Sequence, residues 1–201
     1  MTALKKLLSS ANKVNRQMVY SEYLLTDMTD RQEQLLNTAL TLFAERGFHA
    51  TSTSAIAKAA GVSEGLLFKH FKNKAGLLEA ILQQGEERTG AILEDALSTG
   101  DALELLRNVV RVPFVVPESD HVYFRLLFKL KWEMNRYGTA AYYEVLRERL
   151  EWAFEELSYH QPKLQAQNLQ LQLDATASAI VRNEIPDPAA LMRFQLSRFD
   201  E

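Results

Sequence analysis

The sequence predicts an all-α fold of nine helices without a sheet, and three observations carry that expectation. Apolar residues recur at three- and four-residue spacing through Leu35, Leu36, Ala39, Leu42 and Phe43, through Leu77, Leu78, Ile81 and Leu82, and through Leu146, Leu150, Ala153, Phe154 and Leu157. That is the period of a helix with one buried face. No segment sustains the alternation that a half-buried strand requires. Start and stop residues stand where the periodic segments need them.

Taken in order, a helix near 30–46 opens on Thr29-Asp-Arg-Gln32, which has capping-box form, and closes at Gly47. Two short helices near 53–60 and 64–71 are separated by Gly61-Val62-Ser63, where the glycine ends the first and the serine caps the second. Asn73 opens a long helix over 74–98, stopped before Gly100. The helix at 101–116 is apolar nearly all round and is interrupted by Pro113, whose kink is expected to open space beside it. Helices over 120–136 and 139–160 end at Gly138 and Pro162. The Gln-rich 161–172 still has helical Leu spacing and leads into 163–184, and Asp187-Pro188 starts the last helix, 188–199. In residues 1–28, Leu4, Leu7, Leu8, Ala11 and Val14 allow an amphipathic turn or two on an N-terminal extension. Because Met28 directly precedes the capping box, it is also a candidate natural start. The expected organisation is therefore 1–28 extension, 29–75 front domain and 76–201 rear domain.

A chain of 201 residues with 47% hydrophobic content buries a core without covalent or metal staples, and with no cysteine it has neither disulfides nor Cys-ligated zinc. Apolar runs such as Val112 to Val116 fall far short of the roughly 20 residues that a membrane helix needs, and the N-terminus lacks a signal-peptide core. The expectation is a cytoplasmic protein that does not enter membranes. A mild net charge of −3 hides an asymmetry. Residues 58–74 carry Lys58, Lys69, Lys72 and Lys74 against Glu64 alone, whereas 76–201 is acidic, so a polyanion would be met by the front. On charge alone, a solvated lysine face is the commoner case.

The stretch from Thr51 to Phe71 is the most informative. Ala57 lets its two short helices approach, and Ile56, Val62, Leu67 and Phe71 are spaced to fill the angle between them. This is the helix-turn-helix plan, whose second helix can lie in the major groove. A plain helical hairpin is the alternative, and the lysine cluster with the polar 63–65 edge favours the first reading. From Arg31 to Leu82 the chain resembles the tetracycline-repressor (TetR) family of transcriptional regulators. The residues that carry the likeness are Ala39, Phe43, Gly47-Phe48, Ala50-Thr51-Ser52, Ile56-Ala57, Ala60-Gly61-Val62-Ser63, Gly65, Leu67, His70-Phe71-Lys72-Asn73-Lys74 and Leu77-Leu78.

The resemblance implies that Thr51 and Ser52 hold phosphate, that Ser63, Glu64, Gly65 and Leu66 face base edges, and that Phe68, Lys69 and His70 flank them. Lys72 belongs to the same basic edge, and Lys74 is expected to reach the DNA backbone. Glu64 either repels phosphate or accepts from a cytosine amino group. Phe68 stands where the family usually has Tyr, which removes a phenol hydrogen bond to phosphate. Leu66 replaces a small or hydroxylated residue and points toward thymine-methyl contact.

Aromatic residues crowd 110–160. Most serve as core, and an apolar cavity is the alternative for some. In the resembled family a ligand lies among the fifth to eighth helices, which makes Phe114, Phe124, Phe128, Trp132, Tyr142 and Tyr143 the candidate lining. Arg111, Arg125 and Lys129 would pair with an acidic ligand or, the blander reading, form surface salt bridges. The family's last two helices form a symmetric dimer interface, which assigns Leu169, Leu173, Ala177, Ile180, Leu191 and Phe194 to it. Two-fold symmetry also suits two major grooves about 34 Å apart on a pseudo-palindromic double-stranded operator. The four histidines lack metal-ligand spacing, and no nucleophile motif or phosphate loop is present, so neither catalysis, metal nor cofactor is expected. The function implied is a homodimeric repressor released from DNA by a small, largely apolar or aromatic effector that acts through helix 74–98. A regulator without an effector, an activator and, more remotely, an all-α protein-interaction module are the alternatives.

Overall fold

The computed structural model describes residues 29–133 and 141–200. The expectations placed on residues 1–28, Met28 and Gly138 lie outside the described residues. Among those described there are nine α-helices and no strand: α1 (Asp30–Arg46), α2 (Thr53–Ala59), α3 (Glu64–Phe71), α4 (Lys74–Leu97), α5 (Ala102–Val115), α6 (His121–Glu133), α7 (Ala141–Glu156), α8 (Pro162–Val181) and α9 (Pro188–Leu196). Short 3-10 turns at Glu118–Asp120 and Ser197–Phe199 precede α6 and follow α9. No helix among the described residues is long and apolar enough to cross a membrane.

Local chemistry fixes the boundaries. Thr29 N–H donates to Gln32 Oε1 at 2.7 Å, the reciprocal half of the expected box. Side-chain oxygens of Ser52, Ser63, Asn73, Asp101 and Asp187 each accept a backbone N–H three residues on, at 2.7–3.2 Å. Ser52 and Asp101 cap α2 and α5 in this way, beyond the caps expected from the sequence. Pro162, expected as a stop, instead occupies the first turn of α8, where its missing N–H costs no hydrogen bond. Pro113 lies buried in the last turn of α5, two residues before that helix ends.

Two apolar cores result. The front core joins Leu35, Leu36, Ala39, Leu42 and Phe43 of α1 to Ile56, Leu67 and the α4 residues Leu77, Leu78, Ile81 and Leu82. It is completed by Tyr123, Leu126 and Leu130 of α6, so it extends beyond the expected 29–75 span. The rear core gathers Leu93 and Ala96 of α4, then Leu105, Leu106, Val109 and Val110 of α5, with Leu146, Leu150, Ala153 and Phe154 of α7. Ala166 and Leu169 of α8 and Phe199 complete it. The helix α4 thus leaves one core and enters the other. Where it crosses α6, a Cβ at Gly85 would fall inside the Tyr123 ring, while the Tyr123 hydroxyl donates to the Leu82 carbonyl at 3.4 Å.

Basic side chains finish helix ends across these contacts. Arg149 of α7 donates to the Leu97 and Thr99 carbonyls at 3.1 and 2.6 Å and lies over the Trp152 ring. Burial pulls its pKa below the ordinary arginine value. Arg107 reaches Phe199 O at 2.5 Å. Arg125 and Lys129, expected in surface salt bridges or on an acidic ligand, instead donate to main-chain carbonyls: Arg125 to Val181 at 3.2 Å, and Lys129 to Glu45 and Ala44 at 3.0 and 3.3 Å. Last-turn carbonyls lack partners within their own helix, which makes them the stronger claim on a nearby cation.

Leu169 was expected at a dimer interface but is 3% exposed inside its own rear core. Leu173 also packs against that core, and Ala177, Ile180 and Leu191 are half-buried. The reason is that α8 carries two apolar stripes, and the one through Leu169 turns inward. The opposite stripe leaves Leu164 and Leu171 exposed, and Phe194 of α9 is 75% exposed.

Propensity alone predicts that Gly85→Ala stabilises α4 by up to about 1 kcal/mol. Because of the crossing, we expect the reverse, a loss of roughly 1–3 kcal/mol from overpacking against Tyr123. This is read as a lower urea midpoint; an unchanged or raised midpoint would mean that the ring steps aside.

Candidate nucleic-acid interface

The turn between α2 and α3 is built by Gly61, whose φ of 65° is available to glycine at no steric cost. Gly61 N–H donates to Lys58 O and Val62 N–H to Ala57 O, at 3.2 and 3.0 Å, closing the end of α2. Ser63 then caps α3 through Leu66 N–H. Ile56 and Leu67 are fully buried under the angle, with Val62 and Phe71 packed at its edge, as the spacing predicted. The two helices are also tied by a hydrogen bond from the Thr53 hydroxyl to Glu64 Oε1, 2.6 Å. A rigid pair of this kind can present one helix to a groove without rearranging.

With Leu67 and Phe71 facing inward, Gly65, Phe68 and Lys69 lie on the outward face of α3, Lys72 caps its end with a φ of 63°, and all four are exposed. Phe68 is 46% exposed, although nothing in the core needs an aromatic there. A Cβ on Gly65 would meet nothing nearer than Ser63 Oγ at 3.9 Å, so the fold itself does not require glycine at this position. Ser52 and Ser63 are exposed beside this face. The Ser52 oxygen accepts from Ala55 N–H, leaving its hydroxyl proton to donate outward. Leu66 is half-buried. The structure therefore brings Ser52, Ser63, Gly65, Phe68, Lys69 and Lys72 onto one accessible surface, with hydroxyls and ammoniums suited to phosphate and an apolar ring suited to sugar or a thymine methyl.

Four expected residues are placed differently. Thr51 is 1% exposed and its hydroxyl donates inward to the Gly47 carbonyl at 2.8 Å, so it braces the α1–α2 corner rather than reaching phosphate. It directly precedes the α2 cap, and that position packs against the helix's fourth residue, here Ile56; this sequence signal would have placed it inside. The Lys74 ammonium donates to Phe48 O and Thr51 O at 2.8 and 2.9 Å and lies 4.5 Å from the Phe48 ring centre, which commits it to the same corner instead of the DNA backbone. Glu64 is engaged by Thr53, and His70 Nδ1 lies 2.6 Å from Gln32 Nε2, tying α3 to the start of α1.

The expected effector lining is more scattered. Phe124 packs against the front core, edge-on to Tyr123 at 5.4 Å. Phe114, Phe128 and Tyr143 are half-buried on α5, α6 and α7. The side chains of Trp132 and Tyr142 lie outside the described residues. A surface depression bordered by Asp30, Glu33, Gln34, Asn37, Thr38 and Thr41 runs along the polar face of α1 and involves none of these aromatics.

Residues 35–81 match a family described as "Bacterial regulatory proteins, tetR family". The chain is 35% identical over 102 residues to the uncharacterised HTH-type transcriptional regulator YvkB of Bacillus subtilis, covering 45% of this chain and 54% of that one. It is 37% identical over 101 residues to the transcriptional activator FasR of Mycolicibacterium smegmatis, covering 50% and 46%. The chain thus spans about half the length of the curated relatives it matches. A TetR-like regulator from Rhodococcus sp. RHA1 superposes with a TM-score of 0.72 at 25% identity, over 84% of this chain and 93% of that one. FadR from Bacillus subtilis, solved with stearoyl-CoA, superposes at 0.57 and 21% identity over 83% and 96%, a likeness of fold.

The free space at Gly65 gives a test that separates folding from binding. Gly65→Ala should leave stability unchanged or raise it by up to about 1 kcal/mol, while weakening DNA binding about tenfold through the methyl placed between helix and groove. Equal DNA affinity for the two proteins would remove α3's outward face from the interface.

Proposed function

We propose that the chain is a transcriptional regulator of the TetR family, acting in the cytoplasm as a homodimeric repressor whose hold on double-stranded DNA is released by a small, largely apolar effector. The observation that carries this reading is the outward face of α3. Gly65, Phe68, Lys69 and Lys72, with Ser52 alongside, form a cation-bearing, hydroxyl-bearing strip on a helix whose opposite face is locked in the core. Phosphate contacts set register on such a strip, and Phe68 with the edge of Leu66 favours thymine-rich sequence through methyl contact.

Two such heads require a dimer. The exposed Leu164 and Leu171 of α8 and Phe194 of α9 supply apolar surface for one, on helices already joined by the Gln195 amide donating to the Thr176 hydroxyl at 2.9 Å. Repression is favoured over activation because occluding a promoter needs DNA binding alone, whereas activation needs a second surface for polymerase. The effector would sit among α5, α6 and α7, where Phe114, Phe128 and Tyr143 are neither fully buried nor open. An effector that prefers a different spacing of the heads lowers DNA affinity by that preference.

The experiment is fluorescence anisotropy of the full chain on a duplex from upstream of its own gene and on a scrambled duplex, titrated with salt. Lys69 and Lys72 from both protomers predict a log–log salt slope of about −4 or steeper on the native duplex, with clear preference over the scrambled one. Stearoyl-CoA, the molecule in the FadR crystal, is the first effector probe, and its expected action is to weaken the complex. Weak, equal binding to both duplexes would contradict the reading.

A further inference from the structure

The connection from α1 to α2 sets where Ser52 and the recognition pair stand, and carbonyls in it and in the last turn of α1 are held by two ammoniums from later helices. Gly47 N–H takes the Phe43 carbonyl, the Thr51 hydroxyl takes Gly47 O, and Lys74 of α4 takes Phe48 O and Thr51 O. Of the last-turn carbonyls of α1, those of Ala44 and Glu45 are reached by Lys129 of α6, at 3.3 and 3.0 Å. Lys129 is 84 residues away from Glu45 in sequence, so the bond reports the placement of α6 and not a local turn.

The same helix is fastened elsewhere. Tyr123 lies against Gly85 of α4 and donates to Leu82 O, and Arg125 donates to Val181 O at the end of α8. One helix therefore ties the corner behind Ser52 both to the long connector and to the helix carrying the exposed Leu164 and Leu171. A bundle of apolar ridges alone permits small slides, whereas a charge-assisted bond to two carbonyls permits one register.

We propose that Lys129 is a positioning residue for DNA binding: without touching DNA, its ammonium locks the α1–α2 corner to α6 and so holds the two heads of the dimer in the register that the operator requires. The inference rests on the DNA-binding reading above.

The test compares wild type, Lys129→Met and Lys129→Arg as full-length proteins by anisotropy on the selected duplex at several salt concentrations, with a urea midpoint for each. Met keeps the apolar stem and removes the donors; Arg restores two donors. The expected result is an affinity loss of about five- to thirtyfold for Met, the size of losing one or two charge-assisted bonds. Its salt slope should match wild type, because no phosphate contact is lost, and Arg should recover most of the affinity. Should Lys129→Gln be needed because Met folds poorly, its amide, an uncharged donor on a shorter stem, predicts an intermediate affinity.

Equal affinity of wild type and the Met variant overturns this inference alone. So does a slope reduced by about two for the dimer, which would make Lys129 itself a phosphate contact. A loss that merely follows the unfolded fraction, with no recovery in Arg, likewise reduces it to a stability effect. Failure of wild type to select any duplex overturns the DNA-binding reading and this inference together.

Discussion

The last carbonyls of an α-helix have no partner within it, and a buried carbonyl left without one costs about 1–3 kcal/mol. In this protein cations from distant helices supply the missing donors. Lys74 and Lys129 close the α1–α2 corner, Arg149 closes the end of α4, Arg125 that of α8 and Arg107 the final turn at Phe199. Lys129, Arg149 and Arg125 also meet the negative ends of helix dipoles, at the last turns of α1, α4 and α8. Because donor and acceptor belong to different helices, every clamp that finishes one helix also fixes its place against another. Hydrophobic burial supplies most of the driving force for the two cores, but it is non-directional. The clamps add direction.

This division of labour explains why the exposed side of the helix-turn-helix can be so lightly built. The outward face of α3 contributes little to the core and carries Gly65, an exposed ring and two lysines. Its orientation is held from behind, by Leu67 and Phe71 in the angle, by Thr53 on Glu64, and by His70 against Gln32 at the start of α1. Behind α1 stands α6, which is shared between the front core and the body of the molecule. In the proposed function, changes in the rear part must reach the DNA-facing helix, and a helix that is core to the front while bonded to α4 and α8 is placed to carry them.

Much of this architecture was legible in the sequence, because helix period, caps and turn glycines are local. Nine helices fall within a few residues of where Thr29, Ser63, Asn73, Gly61 and Asp187 placed them. The outward residues Ser63, Gly65, Phe68, Lys69 and Lys72 were legible through the family likeness. What escaped was orientation and tertiary partnership. The α8 helix shows two apolar stripes, and period alone does not tell which one faces home, so Leu169 was assigned outward while Leu164 and Leu171 went unnoticed. Thr51 and Lys74 bond main-chain carbonyls, and so do Arg125 and Lys129. Any residue has a carbonyl, so such partners leave no mark in sequence. Glu64 and His70 were assigned to DNA by position alone, although Thr53 and Gln32 stood within the same sequence as possible partners.

In the proposed function α3 enters DNA while the clamps behind it stay closed. Hydrogen exchange of the full chain, with and without the duplex it selects, addresses both parts at once. The account predicts slowed exchange at Ser52 and across 63–72 on DNA binding, and slow exchange at the α1–α2 corner in both states. Protection that appears elsewhere while 63–72 stays unchanged would contradict it.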